Sequence, residues 1–385
     1  MPESLNLPPP PRAYRCVCGS SVYFQNSVCL NCRTELGYDP QLAQVLPLAT
    51  TALPGQWAIA LGGAPAQSQE THSNRLYYRC ANFATAAACN WLRPANVVAP
   101  GGDDGLCLAC SLNRTVPEQS LPHNQLLWAR IEVAKRRLVT QLLALGLPVQ
   151  TLQRSPWQDA QRGLAFDFLL EKQAGMPVIT GHAHGVITIN AQEADDAYRA
   201  QIREAMQESY RTLLGHMRHE IGHYYWDRLV LGTEWMEPFR AWFGDERRDY
   251  QQAVQLHYAV GAPADWAQRH VSAYASSHPW EDWAETWAHY LHMRDTMNAA
   301  RSFGLDASDA EVDILPFGVA ALYNPNLPGA QAFLDFVNNW LRMTHVLNEL
   351  SRSMGERDFY PFMLPHIAVA KLQLVHEVVK QSLQK

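Results

Sequence analysis

No cysteine follows Cys110, although eight lie before residue 111. Positive charge is also in short supply: 31 lysines and arginines face 37 aspartates and glutamates, for a formal charge of -6. Composition therefore points to no polyanionic partner, and nucleic acid is not expected to bind. No apolar run reaches the roughly 18 residues that a membrane-spanning helix needs. The opening stretch MPESLNLPPPPRAYRC is polar and proline-rich, whereas an export signal has a basic start and an apolar run. On these grounds no membrane association is expected, and a cytoplasmic location is. Nor is there an internal repeat of the solenoid kind. What the chain does have is apolar material: 47% hydrophobic residues over 385 positions suffices for a large core and two or three domains.

Six of the cysteines fall in close pairs, Cys16/Cys18, Cys29/Cys32 and Cys107/Cys110. In a reducing compartment such pairs stay available as thiolate ligands rather than disulfides. CVCGSSVYFQNSVCLNC brings Cys16, Cys18, Cys29 and Cys32 around one tetrahedral ion from two turns of a ribbon, and a closed shell of four thiolates suits a structural zinc. Cys80, Cys89, Cys107 and Cys110 make a second set, with buried apolar packing as the other account of Cys80 and Cys89. A redox role for CLAC lacks the βαβ surroundings it would need.

Residues 1–13 read as a disordered, proline-rich lead, 14–115 as a turn-rich zinc-ribbon domain, and 116–385 as a second domain with C-terminal helices. Apolar periodicity predicts helices over 124–148, about 196–230, about 279–300, 329–353 and 362–382. LAFDFLL (164–170) and HGVITIN (184–190) read as short strands of a small hairpin. This order predicts an α+β fold, mainly helical after the ribbon.

HEIGH sets His219 and His223 four residues apart, on one face of a helix, with Glu220 turned toward the same point. Two imidazoles at that spacing can share a metal ion. The stretch SSHPWEDWAETWAHYLH carries Glu281, Glu285, His289 and His292 along one stripe, so a third ligand can come from Glu281 or Glu285. Buried histidines bonded to backbone, and an amphipathic surface helix, are the plainer accounts of the two segments. His182 and His184 in TGHAHGV suit a turn or sheet edge better than a metal, and DERRDY (245–250) reads most simply as a solvated, ion-paired helix face, with contact to substrate as the other account.

LCLACSLNRT, AKRRLVTQLLALGLP, HGVITIN, RHEIGHYYWDRLV, FGDERRDY and SAYASSHPWEDWAETWAHYLH together resemble the bacterial zinc-binding metallopeptidases that carry an N-terminal zinc ribbon, over roughly residues 14–350. That resemblance implies a zincin-like catalytic domain with a small β-sheet. EDWAE is more remotely similar to the E-F-F-A-E helix of gluzincins of the anthrax lethal factor type, with Asp282 and Trp283 in place of two phenylalanines. The likeness implies zinc bound by His219, His223 and Glu281, support from Glu285, and a tyrosine seven residues before the ligand, which is Tyr274. Glu220 would then be the general base, Tyr274 would stabilise an oxyanion, and Glu285, with Asp282 as a further candidate, would orient a ligand histidine. The expectation is a metallopeptidase with one catalytic and two structural zinc ions, acting on a protein or peptide. A non-catalytic protein that binds protein or nucleic acid through its ribbon is the alternative. A site decayed to binding alone would readily lose Glu220, which this chain retains. Hydrolysis of a non-peptide amide would use the same residues.

Overall fold

Turn residues and short apolar stretches dominate the chain up to residue 121, and its strands are correspondingly short. The computed structural model describes residues 12–60, 75–97, 104–153, 158–171, 175, 177–206, 208, 210–307 and 310–383. All but the last two positions of the expected proline-rich lead lie outside the described residues. Two compact units divide the chain, Met1–Arg199 and Ala200–Lys385.

In the first unit β1 (Tyr14–Arg15) and β2 (Ser21–Val22) pair antiparallel around a turn that carries Cys16 and Cys18. A five-stranded antiparallel sheet follows, in the order β3 (Glu35–Asp39), β4 (Gln44–Thr50), β5 (Gln56–Ile59), β6 (Leu76–Arg79) and β7 (Leu92–Pro94). Leu46, Leu48, Tyr77 and Leu92 are buried together on it, with Trp57 packed against them. After the short α1 (Leu108–Ser111) and β8 (Asn113–Thr115) comes α2 (Pro122–Ala144). Helix α2 starts at a proline and ends where Gly146, at φ 64°, lets Leu147 N–H reach back to the Leu142 carbonyl at 3.0 Å.

The strands at β9 (Ala165–Leu169) and β11 (Val186–Asn190) form as expected but do not make a hairpin with each other: they pair in parallel. The hairpin partner of β11 is β10 (Gly181–Ala183), and the sheet order is β10-β11-β9-β8. The β10–β11 turn places His184 and Gly185 at φ 50° and 79°, as a tight twisted hairpin requires, and Gly185 N–H donates to His182 Nε2 at 3.1 Å. That local bond accounts for His182 without a metal.

Strands end at residue 190 among the described residues, and helices make the rest, so the α+β reading of the fold holds. The single helix expected over 196–230 is two, α3 (Asp196–Ala205) and α4 (Leu213–Leu229). Thr212 caps α4, its Oγ1 accepting from Gly215 N–H at 2.9 Å. The second unit then holds α5 (Met236–Phe243), α6 (Tyr250–Val260), α7 (Pro279–Ser302), α8 (Ala330–Ser353) and α9 (His366–Ser382). Its centre is the crossing of α4 and α7, where Ile221, Tyr225, Trp283 and Trp287 are buried and the rings of Tyr225 and Trp287 stack at 5.1 Å. No helix among the described residues is long and apolar enough to cross a membrane.

Candidate metal centre

Three groups of metal-ligating side chains converge among the described residues, each with its donor atoms within 4.8 Å of one another: Cys16/Cys18/Cys29/Cys32, Cys80/Cys89/Cys107/Cys110 and His219/His223/Glu281. In the first, Sγ of Cys16 and Cys32 lie 3.5 Å apart and those of Cys18 and Cys29 3.7 Å. In the second, Cys89 and Cys107 are 3.7 Å apart, and Cys107 N–H donates to Cys80 Sγ. A tetrahedral zinc with bonds of about 2.3 Å sets its sulfur ligands about 3.8 Å apart, so both groups fit it. They differ in surroundings. Cys18 and Cys32 are exposed, whereas all four cysteines of the second group are buried, with Glu132, Lys135 and Arg136 of α2 buried nearby.

The third group depends on how closely α4 and α7 approach. Helix α7 begins at His278, whose Nδ1 accepts from Trp280 N–H while its Nε2–H donates to the Arg248 carbonyl at 3.1 Å. Pro279 fills the first helical position, which puts Glu281 in the first turn and Glu285 one turn later. Gly222, which lies between the two histidines in the helix, is so near α7 that an added Cβ would sit 3.0 Å from Ala284 Cα. Trp283 Nε1–H donates to the Gly222 carbonyl across the same gap at 3.0 Å.

His219 Nε2 and His223 Nε2 then stand 3.2 Å apart, and Glu281 Oε2 is 2.9 Å from the first and 3.5 Å from the second. Tetrahedral zinc with bonds of about 2.0–2.1 Å places its ligand atoms about 3.3 Å apart, which is the size of this triangle. Glu281 Oε2 is buried and has no hydrogen-bond donor, because the 2.9 Å approach of His219 lacks the angles of a hydrogen bond. A buried carboxylate oxygen left without a donor is costly, and a cation at the centre of the triangle removes that cost. The donor set and its geometry fit zinc.

Around the triangle, His219 Nδ1 bonds Glu285 Oε1 at 2.7 Å, and Ser272 Oγ–H donates to Glu285 Oε2 at 2.6 Å. The neutral His219 that donates from Nδ1 presents a bare Nε2 to the triangle. Burial opposes a charged His219, but the adjoining carboxylates of Glu281 and Glu285 outweigh it and hold its pKa well above the usual value. Burial likewise opposes ionisation of the two glutamates, yet His223 and His219 hold Glu281 well below the carboxylate range, and His219 holds Glu285 down to about 2. Glu220 moves the other way: its burial raises its pKa more than the histidines lower it.

Asp282 does not join this network. Its carboxylate pairs with Lys371 Nζ of α9 at 2.5 Å and His270 Nδ1 at 3.1 Å, so the expectation that it orients a ligand histidine is corrected: one helical step rotates it from α4 toward α9. His289 and His292, on the same stripe, bond Tyr360 and Arg218 instead. The Tyr274 ring lies 5.9 Å from that of His219, and Trp280 packs on His223 at 3.9 Å. Sequence reasoning missed Ser272 and Tyr250, whose hydroxyl donates to Glu281 Oε1 at 2.7 Å. A hydroxyl residue outside the motif carries no spacing signal by which to find it.

Comparison with known proteins agrees with this geometry. Residues 13–121 match a zinc-ribbon domain, and residues 124–378 match the family described as "Putative zinc-binding metallo-peptidase". Uncharacterized proteins of Mycobacterium tuberculosis (strains H37Rv and CDC 1551) and Mycobacterium bovis are each 39% identical to the chain over 365 residues, which is 94% of this chain and 94% of each relative. No solved structure matches it. With two thirds of its length and the whole His219/His223/Glu281 triangle inside the longer match, the chain belongs to that zinc-binding metallo-peptidase family, preceded by a zinc ribbon.

Proposed function

We propose that the chain hydrolyses peptide bonds in a protein or peptide substrate, with zinc held by His219, His223 and Glu281. The observation that carries this reading is the triangle of Nε2, Nε2 and Oε2, with edges of 3.2, 2.9 and 3.5 Å, beside a buried carboxyl in Glu220 that is not itself one of the three. Zinc bound there supplies Lewis acidity, making water nucleophilic near neutral pH. Glu220 accepts a proton from the attacking water and passes one to the leaving nitrogen, so that one water and one amide become a carboxylic acid and an amine. Its raised pKa suits a group that must both take and give a proton. Tyr274, held protonated by burial and by the charge of Glu281, donates to the carbonyl oxygen as negative charge builds there. Glu285 and Ser272 fix the His219 ring. Two further zinc ions in the cysteine groups are structural.

The test is metal content by elemental analysis, followed by hydrolysis of a mixed peptide library. Wild type is expected to hold about three zinc ions and His219→Ala/His223→Ala about two, with Glu220→Gln keeping all three but cutting no peptide. Equal zinc in wild type and the double variant would overturn the assignment of the site. Undiminished cleavage by Glu220→Gln would overturn the role of that carboxylate.

A further inference from the structure

Tyr250 has no part in the chemistry above, yet its hydroxyl is placed on a metal-ligating carboxylate. It is the first residue of α6, whose N-terminus is capped by Asp249, with Oδ1 accepting from Gln252 N–H at 2.9 Å. The Tyr250 ring meets His278 and Trp280 edge-on at 5.4 and 5.8 Å. The Arg248 carbonyl, two residues earlier, accepts from His278 Nε2 at 3.1 Å. Thus the start of α6 is fastened to the start of α7 from both backbone and side chain, while Ala253 is the one buried residue of α6. The phenol is therefore held in place rather than lying on Glu281 by chance.

Glu281 is only 1% exposed, so water cannot readily satisfy the oxygen that faces away from the histidines. Tyr250 satisfies it: the hydroxyl takes Oε1 at 2.7 Å and leaves Oε2 for the triangle. A carboxylate can bind a metal through one oxygen or two. With Oε1 engaged, binding through Oε2 alone is favoured, and a coordination place stays open for water or substrate. We infer that Tyr250 is a positioning residue which holds Glu281 to single-oxygen ligation. This inference rests on the zinc site proposed above.

The test is a double-mutant cycle on zinc affinity, using Tyr250→Phe, Glu281→Ala and the combined variant. Competition with a chromophoric chelator reads the His219/His223-dependent zinc, and the His219→Ala/His223→Ala variant supplies the baseline from the cysteine groups. Tyr250→Phe is expected to weaken zinc about tenfold or more in the wild-type background and to have no further effect once Glu281 is alanine. In the Co2+-substituted protein, the part of the visible absorption that depends on His219 and His223 should lose intensity in Tyr250→Phe as the coordination number rises. Wild-type affinity in Tyr250→Phe would overturn the inference, as would an equal loss in both backgrounds, which marks general loosening of the fold. An unchanged Co2+ spectrum would overturn it as well. Equal zinc in wild type and His219→Ala/His223→Ala would instead remove the site itself, and the inference with it.

Discussion

Glu281 and Asp282 are adjacent carboxylates, both buried, yet they serve different neighbours: one completes the histidine triangle and the other pairs with Lys371. At the scale of single residues this pair shows what spacing can and cannot reveal. HEIGH and EDWAE are local, so the convergence of His219, His223 and Glu281 was readable from helical geometry and a resemblance. The partners of Asp282, by contrast, come from residues 270 and 371 and depend on packing that no local pattern encodes. Ser272 and Tyr250 escaped for the same reason. The Asp282–Lys371 pair yields a prediction, because removing one member of a buried ion pair strands the other charge. Lys371→Ala should lower unfolding free energy by about 3–5 kcal/mol in urea titrations, and Lys371→Met by less, since it keeps the buried stem. Equal losses in the two variants would mean that the charge alone matters there, and an undiminished stability of Lys371→Met would mean that packing alone does.

Between elements, the distance from α4 to α7 decides whether the triangle has the size of a metal site. Alanine at 222 would improve helix propensity by about 1 kcal/mol, but its Cβ would meet Ala284 Cα at 3.0 Å and Trp287 Cβ at 3.1 Å. Backbone and a buried indole yield poorly, and overpacking of this kind costs about 1–3 kcal/mol. Gly222→Ala is therefore expected to lower Tm and to weaken zinc at the His219/His223 site while the cysteine groups keep theirs, as chelator competition would read. Unchanged zinc affinity would show that the crossing can relax without opening the triangle. The long helices are legible from apolar periodicity, whereas the shorter α5 and α6 are not. Breaks are also less legible: the cap at Thr212 splits what reads as one helix. The hairpin was misjudged because β9 and β11 are both apolar enough for the inside of a sheet, and sequence does not show that β10 comes between them in chain order and pairs with β11 first.

Over the whole molecule, acid should act through imidazoles that are buried without charge. Burial pushes His289 down to about 4 and His376 down to about 3 from a usual 6.5, and each ring instead bonds a tyrosine hydroxyl, Tyr360 or Tyr290. Their pKa is depressed on folding, so the unfolded chain binds protons first as pH falls. The stability they leave intact above about pH 6.5 is then lost progressively down to about pH 3–4, on the order of a few kcal/mol for each. Urea midpoints of His219→Ala/His223→Ala should fall between about pH 7 and pH 5, the variant being chosen so that metal release at that site plays no part. A flat midpoint would mean that these rings are already solvated. Two units agree with the two or three domains expected from length, but the place of the break differs: it reads as residue 115 or 116 from composition, and the family matches meet between 121 and 124, whereas the contacts separate at Arg199. Helix α2 is the reason this matters. Its Glu132 carboxylate is 3.9 Å from Cys110 Sγ, and Lys135 and Arg136 are buried beside it. The positive charge of Arg136 offsets that of the thiolates. Shortening the chain to its peptidase match would therefore expose in water a helix face made to lie against sulfur, and leave the cysteines without their counter-charge. The ribbon is thus no removable tag, and a gene fragment starting at residue 124 would encode the second unit with only residues 124–199 of the first.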